Sequence, residues 1–177
     1  MSSAASPTPK PASESATEMV QLVLPDDTNT IGNVLGGTVM HWIDVVAAIT
    51  AHRHARKLCV TASMDDLSFE APIRMGQLAI LKARVTHTSR TSLEVQVDVE
   101  SEDLNSTARK HTSTAFLTFV AIDENGAPVP VTPLLVRPED EEEHARAEAR
   151  RKDRLRRRAE RSAVSAPATQ PARGTQP

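Results

Sequence analysis

One run of residues restricts this chain more than any other. From Thr38 to Arg56 the sequence TVMHWIDVVAAITAHRHAR contains neither Gly nor Pro, and a Gly-Gly pair stands immediately before it. Val39, Ile43, Val46 and Thr50 share one face at helical spacing, with Met40 and Ala47 beside them. A helix that is apolar almost all round is normally buried. Arg53, Arg56 and Lys57 gather at its end, where cations are favoured by the helix dipole. The reading is a buried helix from about Gly36 to Arg56, and the rest of the chain must supply its cover.

The flanking segments read as strands. MVQLVL at 19–24 is a short apolar strand closed by Pro25. DDTNTIGNVLGG follows as a structured loop with three of the six glycines. Further strands are expected at 59–69, 78–88, 92–100 and 110–122. In the third of these, Leu93, Val95, Val97 and Val99 alternate with Glu94, Gln96, Asp98 and Glu100, the period of a half-buried antiparallel strand. One strand, one long helix and four strands leave no repeating strand–helix unit. A doubly wound parallel sheet is thereby excluded. The expected class is α+β, a curved antiparallel five-stranded sheet wrapped around one central helix.

Composition sets the boundaries. Six of the twelve prolines lie near the ends, among Ala, Ser, Thr and Gln that bury too little apolar surface to offset ordering entropy. Residues 1–17 and 162–177 are therefore expected to be disordered tails around one domain at 18–138. Residues 139–161 hold eight acids and nine bases, acids first, which suits a charged helix. The plainer reading is a solvated surface helix that frays; the alternative is a basic arm for a phosphate-bearing ligand.

Several functions are excluded at this stage. A net charge of −2 gives no global basic field for nucleic acid. With three Phe, one Trp and no Tyr, base-stacking platforms are scarce. The single Cys59 forms no internal disulfide and no cysteine-based zinc site. His52 and His54 would point about 200° apart on a helix, so they do not chelate one metal. No metal site, no GxSxG elbow and no membrane span are read, and a cytoplasmic protein is expected.

Two features remain for chemistry. Asp44 sits among Trp42, Ile43, Val45 and Val46, where an unpaired carboxylate is costly. It is either a general base, a structural Asp paired with His41, or part of an exposed stripe. Gly36 and Gly37 offer backbone N–H groups at a helix start, the form of an oxyanion hole, although helix capping alone also explains them.

These residues carry a resemblance. DTNTIGNVLGGTVMHWIDVVAAITA resembles the signature of hotdog-fold acyl-CoA thioesterases, the group of bacterial acyl-CoA hydrolases and the cytosolic brain-type enzyme. FEAPIRMGQ, HTSRTSLEVQVDV and PVPVTPLLVRPEDEEEHARAEARR resemble further segments of that family in the same order. The resemblance implies a hotdog fold and hydrolysis of acyl-CoA to a carboxylic acid and coenzyme A. It implies Asn29 and Asp44 as catalytic residues on opposite sides of a subunit interface. Asp44 would be general base or nucleophile, and Asn29 would orient water or thioester. Gly36 and Gly37 would bind the carbonyl oxygen, and Ser89, Arg90, Thr91 and Ser92 would contact coenzyme A. No cofactor is implied, since coenzyme A enters with the substrate. A homo-oligomer is implied, a dimer at minimum and a trimer of dimers in this group. A non-catalytic acyl-CoA sensor on the same fold is the second reading. A hotdog hydratase is disfavoured because the His its pattern places five residues after the Asp is Ile49 here.

Overall fold

The helix expected at 36–56 forms α1, Gly36–Ala55. Leu35 enters it in extended conformation, and Arg56 ends it in the left-handed region at φ 52°. The computed structural model describes residues 8–164 apart from 66 and 107. Five strands accompany α1: β1 Thr17–Leu22, β2 Leu58–Asp65, β3 Leu78–Thr88, β4 Ser92–Glu102 and β5 Arg109–Ile122. They make one antiparallel sheet in the order β1-β3-β4-β5-β2. α1 touches all five strands. This is the hotdog fold.

The core lies between helix and sheet. Val39, Ile43, Val46, Ala47 and Ala51 are buried against Leu81, Val95, Val97, Leu117 and Phe119. Each fully buried large aliphatic contributes about 1.5–3 kcal/mol, and the two alanines let the helix approach the sheet closely. β4 follows its expected alternation, with Leu93, Val95, Val97 and Val99 all in the core. The second strand is shorter than the expected 59–69. It ends at Asp65, and Phe69 instead lays its ring against Gly36.

Two expectations about the ends are corrected. The segment from Lys10 to Thr17 is not a loose tail. Lys10 bridges Leu134, and its Nζ donates to the Arg53 carbonyl at 2.7 Å, capping the end of α1. Ser15 is fully buried with its hydroxyl 3.0 Å from His54 Nδ1. A buried imidazole needs a polar partner, and this segment supplies it. Of the tails expected at 1–17 and 162–177, residues 1–7 and 165–177 lie outside the described residues.

The charged C-terminal segment is also not a fraying, solvated helix. It forms α2, Glu141–Val164, and packs on the outer face of the sheet, burying Ala147 completely. Glu94, on the outward side of β4, is 2 % exposed. Its Oε1 accepts hydrogen bonds from Thr86 Oγ1 at 2.8 Å and Arg150 Nη2 at 2.9 Å. Arg150 stacks over Phe116 at 3.7 Å, and Arg154 reaches Asp65 at 3.1 Å. A strand with one core face and one polar face is thus covered on both sides, the second time by ion pairs.

Candidate active site

The loop before α1 is shaped by Asn29. Its Oδ1 accepts the backbone N–H groups of Ile31 and Asn33, both at 3.1 Å. Its own N–H donates to the Asn33 carbonyl at 2.8 Å, and Gly32 turns the chain at φ 74°. With the carbonyl oxygen engaged by the loop, the amide NH2 is the end of Asn29 left to act as a donor. The loop delivers the chain to α1, whose first carbonyl partner, Leu35, receives the N–H groups of Thr38 and Val39. The Gly36 and Gly37 N–H groups have no acceptor among the described residues, as expected at a helix start without a side-chain cap.

A cavity of about 340 Å³ opens there, lined by Asn29, Asn33, Gly36, Val39, Phe69 and Thr112 among others. A Cβ on Gly36 would stand 3.3 Å from the Phe69 ring, whereas one on Gly37 would meet nothing within 4 Å. Glycine at 36 is therefore a packing requirement, and at 37 it leaves the helix start open.

Asp44 stands eight residues further along α1, roughly 12 Å away at helical rise. It is half-buried, one turn beyond the exposed Met40 on the same side of the helix. His41 is not its partner. Thr61 Oγ1 donates to Asp44 Oδ1 at 2.7 Å, from a position in β2 where the register shifts at a bulge. Such a bulge re-aims a strand side chain, and here it holds a carboxylate in place. Thr61 escaped the sequence reading because a threonine inside a strand carries no distinguishing pattern.

Ser89 to Ser92 form the β3–β4 turn. The Ser89 and Ser92 hydroxyls are 2.7 Å apart, and the exposed Arg90 accepts the Val131 N–H on its carbonyl at 3.1 Å. Thr61, Phe119, Leu93 and Thr88 are aligned across four strands, so this turn and the Asp44–Thr61 pair share one end of the sheet. Thr112, in the Asn29 cavity, lies roughly 23 Å away along β5. Within one protomer the residues thus form two groups, Asn29 with Gly36 and Gly37, and Asp44 with the turn.

Other chemistry finds little support. Burial pushes the Cys59 thiol up to about 11, the wrong direction for a thiolate nucleophile. Among the described residues no group of three or more His, Cys, Asp or Glu side chains is arranged around a metal position. No described helix is long and apolar enough to cross a membrane.

The chain thus combines a hotdog sheet, a central helix that opens on glycine N–H groups, and a carboxylate held by a threonine. Residues 31–108 match the thioesterase superfamily. The chain is 45% identical over 130 residues to a Bacillus subtilis (strain 168) protein named as an uncharacterized acyl-CoA thioester hydrolase, covering 73% of this chain and 74% of that one. It is 38% identical over 137 residues to the cytosolic acyl coenzyme A thioester hydrolase of Rattus norvegicus, covering 76% of this chain and 36% of that longer protein. The chain therefore spans about a third of the rat relative. Among solved structures, an apo-hexameric acyl-CoA thioesterase is 41% identical with a TM-score of 0.82, over 86% of this chain and 98% of that one. An acyl-CoA hydrolase from Staphylococcus aureus, solved with butyryl coenzyme A, coenzyme A and coenzyme A disulfide, is 34% identical with a TM-score of 0.81, over 88% and 95% of the two chains. That hydrolase has also been solved as Asn-to-Ala, Asp-to-Ala and Thr-to-Ala variants, whose positions follow one another at intervals of fifteen and seventeen residues. The chain belongs to the thioesterase superfamily.

Proposed function

We propose that this protein is a cytoplasmic acyl-CoA thioesterase, hydrolysing acyl-CoA to a free carboxylic acid and coenzyme A at a site shared between two subunits. The observation that carries the reading is one of spacing. Asn29, Asp44 and Thr61 follow one another at the same intervals as the three substituted positions of the Staphylococcus hydrolase, in the same order of residue types.

The chemistry follows from the groups available. Asp44 takes a proton from water as the water oxygen bonds to the thioester carbon. The carbonyl electron pair moves onto its oxygen, which the Gly36 and Gly37 N–H groups receive. When that pair returns, the C–S bond breaks and the departing sulfur takes the proton from Asp44. In the alternative course, the carboxylate itself bonds to the carbon, the C–S bond breaks to release the coenzyme A thiolate, and water hydrolyses the resulting mixed anhydride, its proton passing to that thiolate. In both, Thr61 fixes the carboxylate and the Asn29 amide orients the thioester or the water. Ser89, Arg90, Thr91 and Ser92 contact the coenzyme A moiety.

A second subunit is required because Asn29 and Asp44 stand apart in one chain. Support for a dimer comes from β2, a sheet edge with Leu58 and Val60 exposed, whose Thr61 holds Asp44 of α1. A dimer joined there carries Asp44 at its interface, and the hexameric relative supports a trimer of dimers.

The test is thiol release from short-, medium- and long-chain acyl-CoAs by wild type and Asp44→Ala. A fall of about 10²-fold or more in a folded variant supports the assignment. Saturable binding without turnover would instead identify an acyl-CoA sensor or scaffold.

A further inference from the structure

The first half of α2 meets β3 through two imidazoles. His144, near the start of the helix, and His87, near the end of the strand, stack with ring centroids 5.1 Å apart and planes 14° from parallel. The register of β3 shifts between Val85 and His87, which sets His87 opposite Glu94 of β4. His144 Nδ1–H donates to the Thr86 carbonyl at 3.2 Å. The neutral ring therefore carries its proton on Nδ1, and Nε2 is the atom that takes up the next one. Both rings are half-buried, and Ala147, one turn along the same face of α2, is fully buried. The stack is thus part of the contact that holds the helix on the sheet.

A proton on this pair finds its neighbouring carboxylates engaged. From β4, Glu94 faces His87, but Arg150 and Arg154 already hold it at 2.9 and 3.5 Å. From α2, Glu148 is paired with Lys152 at 3.3 Å, and Glu143 with Arg150 at 2.7 Å and Arg146 at 3.1 Å. Arg151 of α2 adds positive charge toward His87. Around His144, Arg84 of β3 shares the wall with Asp140 and Glu143. Burial, the His144 ring and Arg151 hold the His87 pKa below its ordinary value, against the pull of Glu94 and Glu148. Two imidazolium rings stacked at this distance repel each other.

We propose that the His87–His144 stack is a pH-sensitive latch for α2: with both rings neutral the helix lies on the sheet, and protonation in mildly acidic solution releases it. When α2 lifts off, His87 regains water and its ordinary affinity for a proton, so the released form takes up the proton first. Docking is full above about pH 6.5 and weakens as the pH falls below it. Release takes Arg150 off the Phe116 ring and bares the Ala147 contact, so the acid form presents apolar surface on the outer face of the sheet. The latch does not depend on the proposed thioesterase activity.

The experiment is amide hydrogen exchange on the full-length protein at pH 7.5 and pH 5.5, with protection expressed relative to the intrinsic exchange rate at each pH. A histidine kept neutral by docking, and titrating near 6.5 once released, makes docking about 10-fold less favourable over that interval. Protection of residues 145–156 is therefore expected to fall roughly 3- to 10-fold in wild type beyond any fall in β4 and β5, which report loss of the whole fold. His87→Phe keeps a flat ring that does not titrate, and His87→Gln keeps a neutral polar side chain. Thermal melts at pH 7.5 establish that each is folded, and in whichever retains wild-type protection of α2 at that pH the acid-induced fall is expected to disappear. Unchanged relative protection of α2 in wild type overturns the proposal. So does an equal fall in the folded variants.

Discussion

Acid should weaken this fold through one imidazole. His54 is fully buried in the last turn of α1, with Nδ1 3.0 Å from the Ser15 hydroxyl. Burial pushes its pKa down to about 4, helped by the positive charge of Lys10, while the Thr132 backbone acts in the opposite sense. In the unfolded chain the same group titrates near the ordinary histidine value of about 6.5. Above that pH it is neutral in both states and the fold keeps its full stability. As the pH falls, the unfolded chain takes up the proton first, so stability declines between about 6.5 and 4 and levels off below. The full difference of about 2.5 units corresponds to roughly 3 kcal/mol, and about 2 kcal/mol of it is lost by pH 5. That is a large share of an ordinary domain's stability. Urea unfolding of wild type and His54→Gln at pH 7.5 and pH 5, at one protein concentration, isolates the effect. Every other titrating group, including His87, is common to both proteins and drops out of the difference. Wild type should lose about 2 kcal/mol more than the variant. Parallel losses would show that His54 is not held neutral by its surroundings, and the reasoning would fail.

Two other substitutions test the site and its support. Thr61→Val removes the 2.7 Å hydrogen bond to Asp44 and is expected to lower kcat/KM for acyl-CoA by roughly 10- to 100-fold, with Thr61→Ser near wild type. Equal rates for all three proteins would mean that Thr61 does not position the carboxylate. Glu94→Gln removes the buried carboxylate shared by Arg150 and Arg154, which keep Glu143 and Asp65, and is expected to cost about 1.5–3 kcal/mol in denaturant titrations. A cost within the range of surface substitutions would show that α2 is held by something other than this carboxylate.

What could be read in the sequence was what repeats locally. The apolar circumference of α1 and the alternation of β4 follow from chemistry within a few neighbouring residues, and both elements lie where they were expected. The missed features join residues far apart in the chain. The Ser15–His54 pair spans 39 residues, and Arg154 meets Asp65 across 89. No periodicity announces such partners, so residues 10–17 resembled a tail and 139–161 a solvated helix. The site divides in the same way. Gly36 and the loop containing Asn29 line one cavity, as their closeness in the chain implied. The partner of Asp44 came from a strand bulge, a backbone irregularity that no residue type encodes.

The two faces of the sheet explain where chemistry is left to happen. The inner face is filled by α1, and on the outward face Glu94 of β4 is held by Arg150 and Arg154 of α2. What remains open is the unpaired edge of β2, where Leu58 and Val60 are exposed. Removing two large apolar side chains from water is favourable by about 1.5–3 kcal/mol each when burial is complete, so this surface favours association. Asp44 lies beside this edge, tied to it through Thr61. A partner joined along the edge of β2 therefore comes close to Asp44. The 2.7 Å hydrogen bond from Thr61 keeps the carboxylate oxygen in a fixed orientation at that edge.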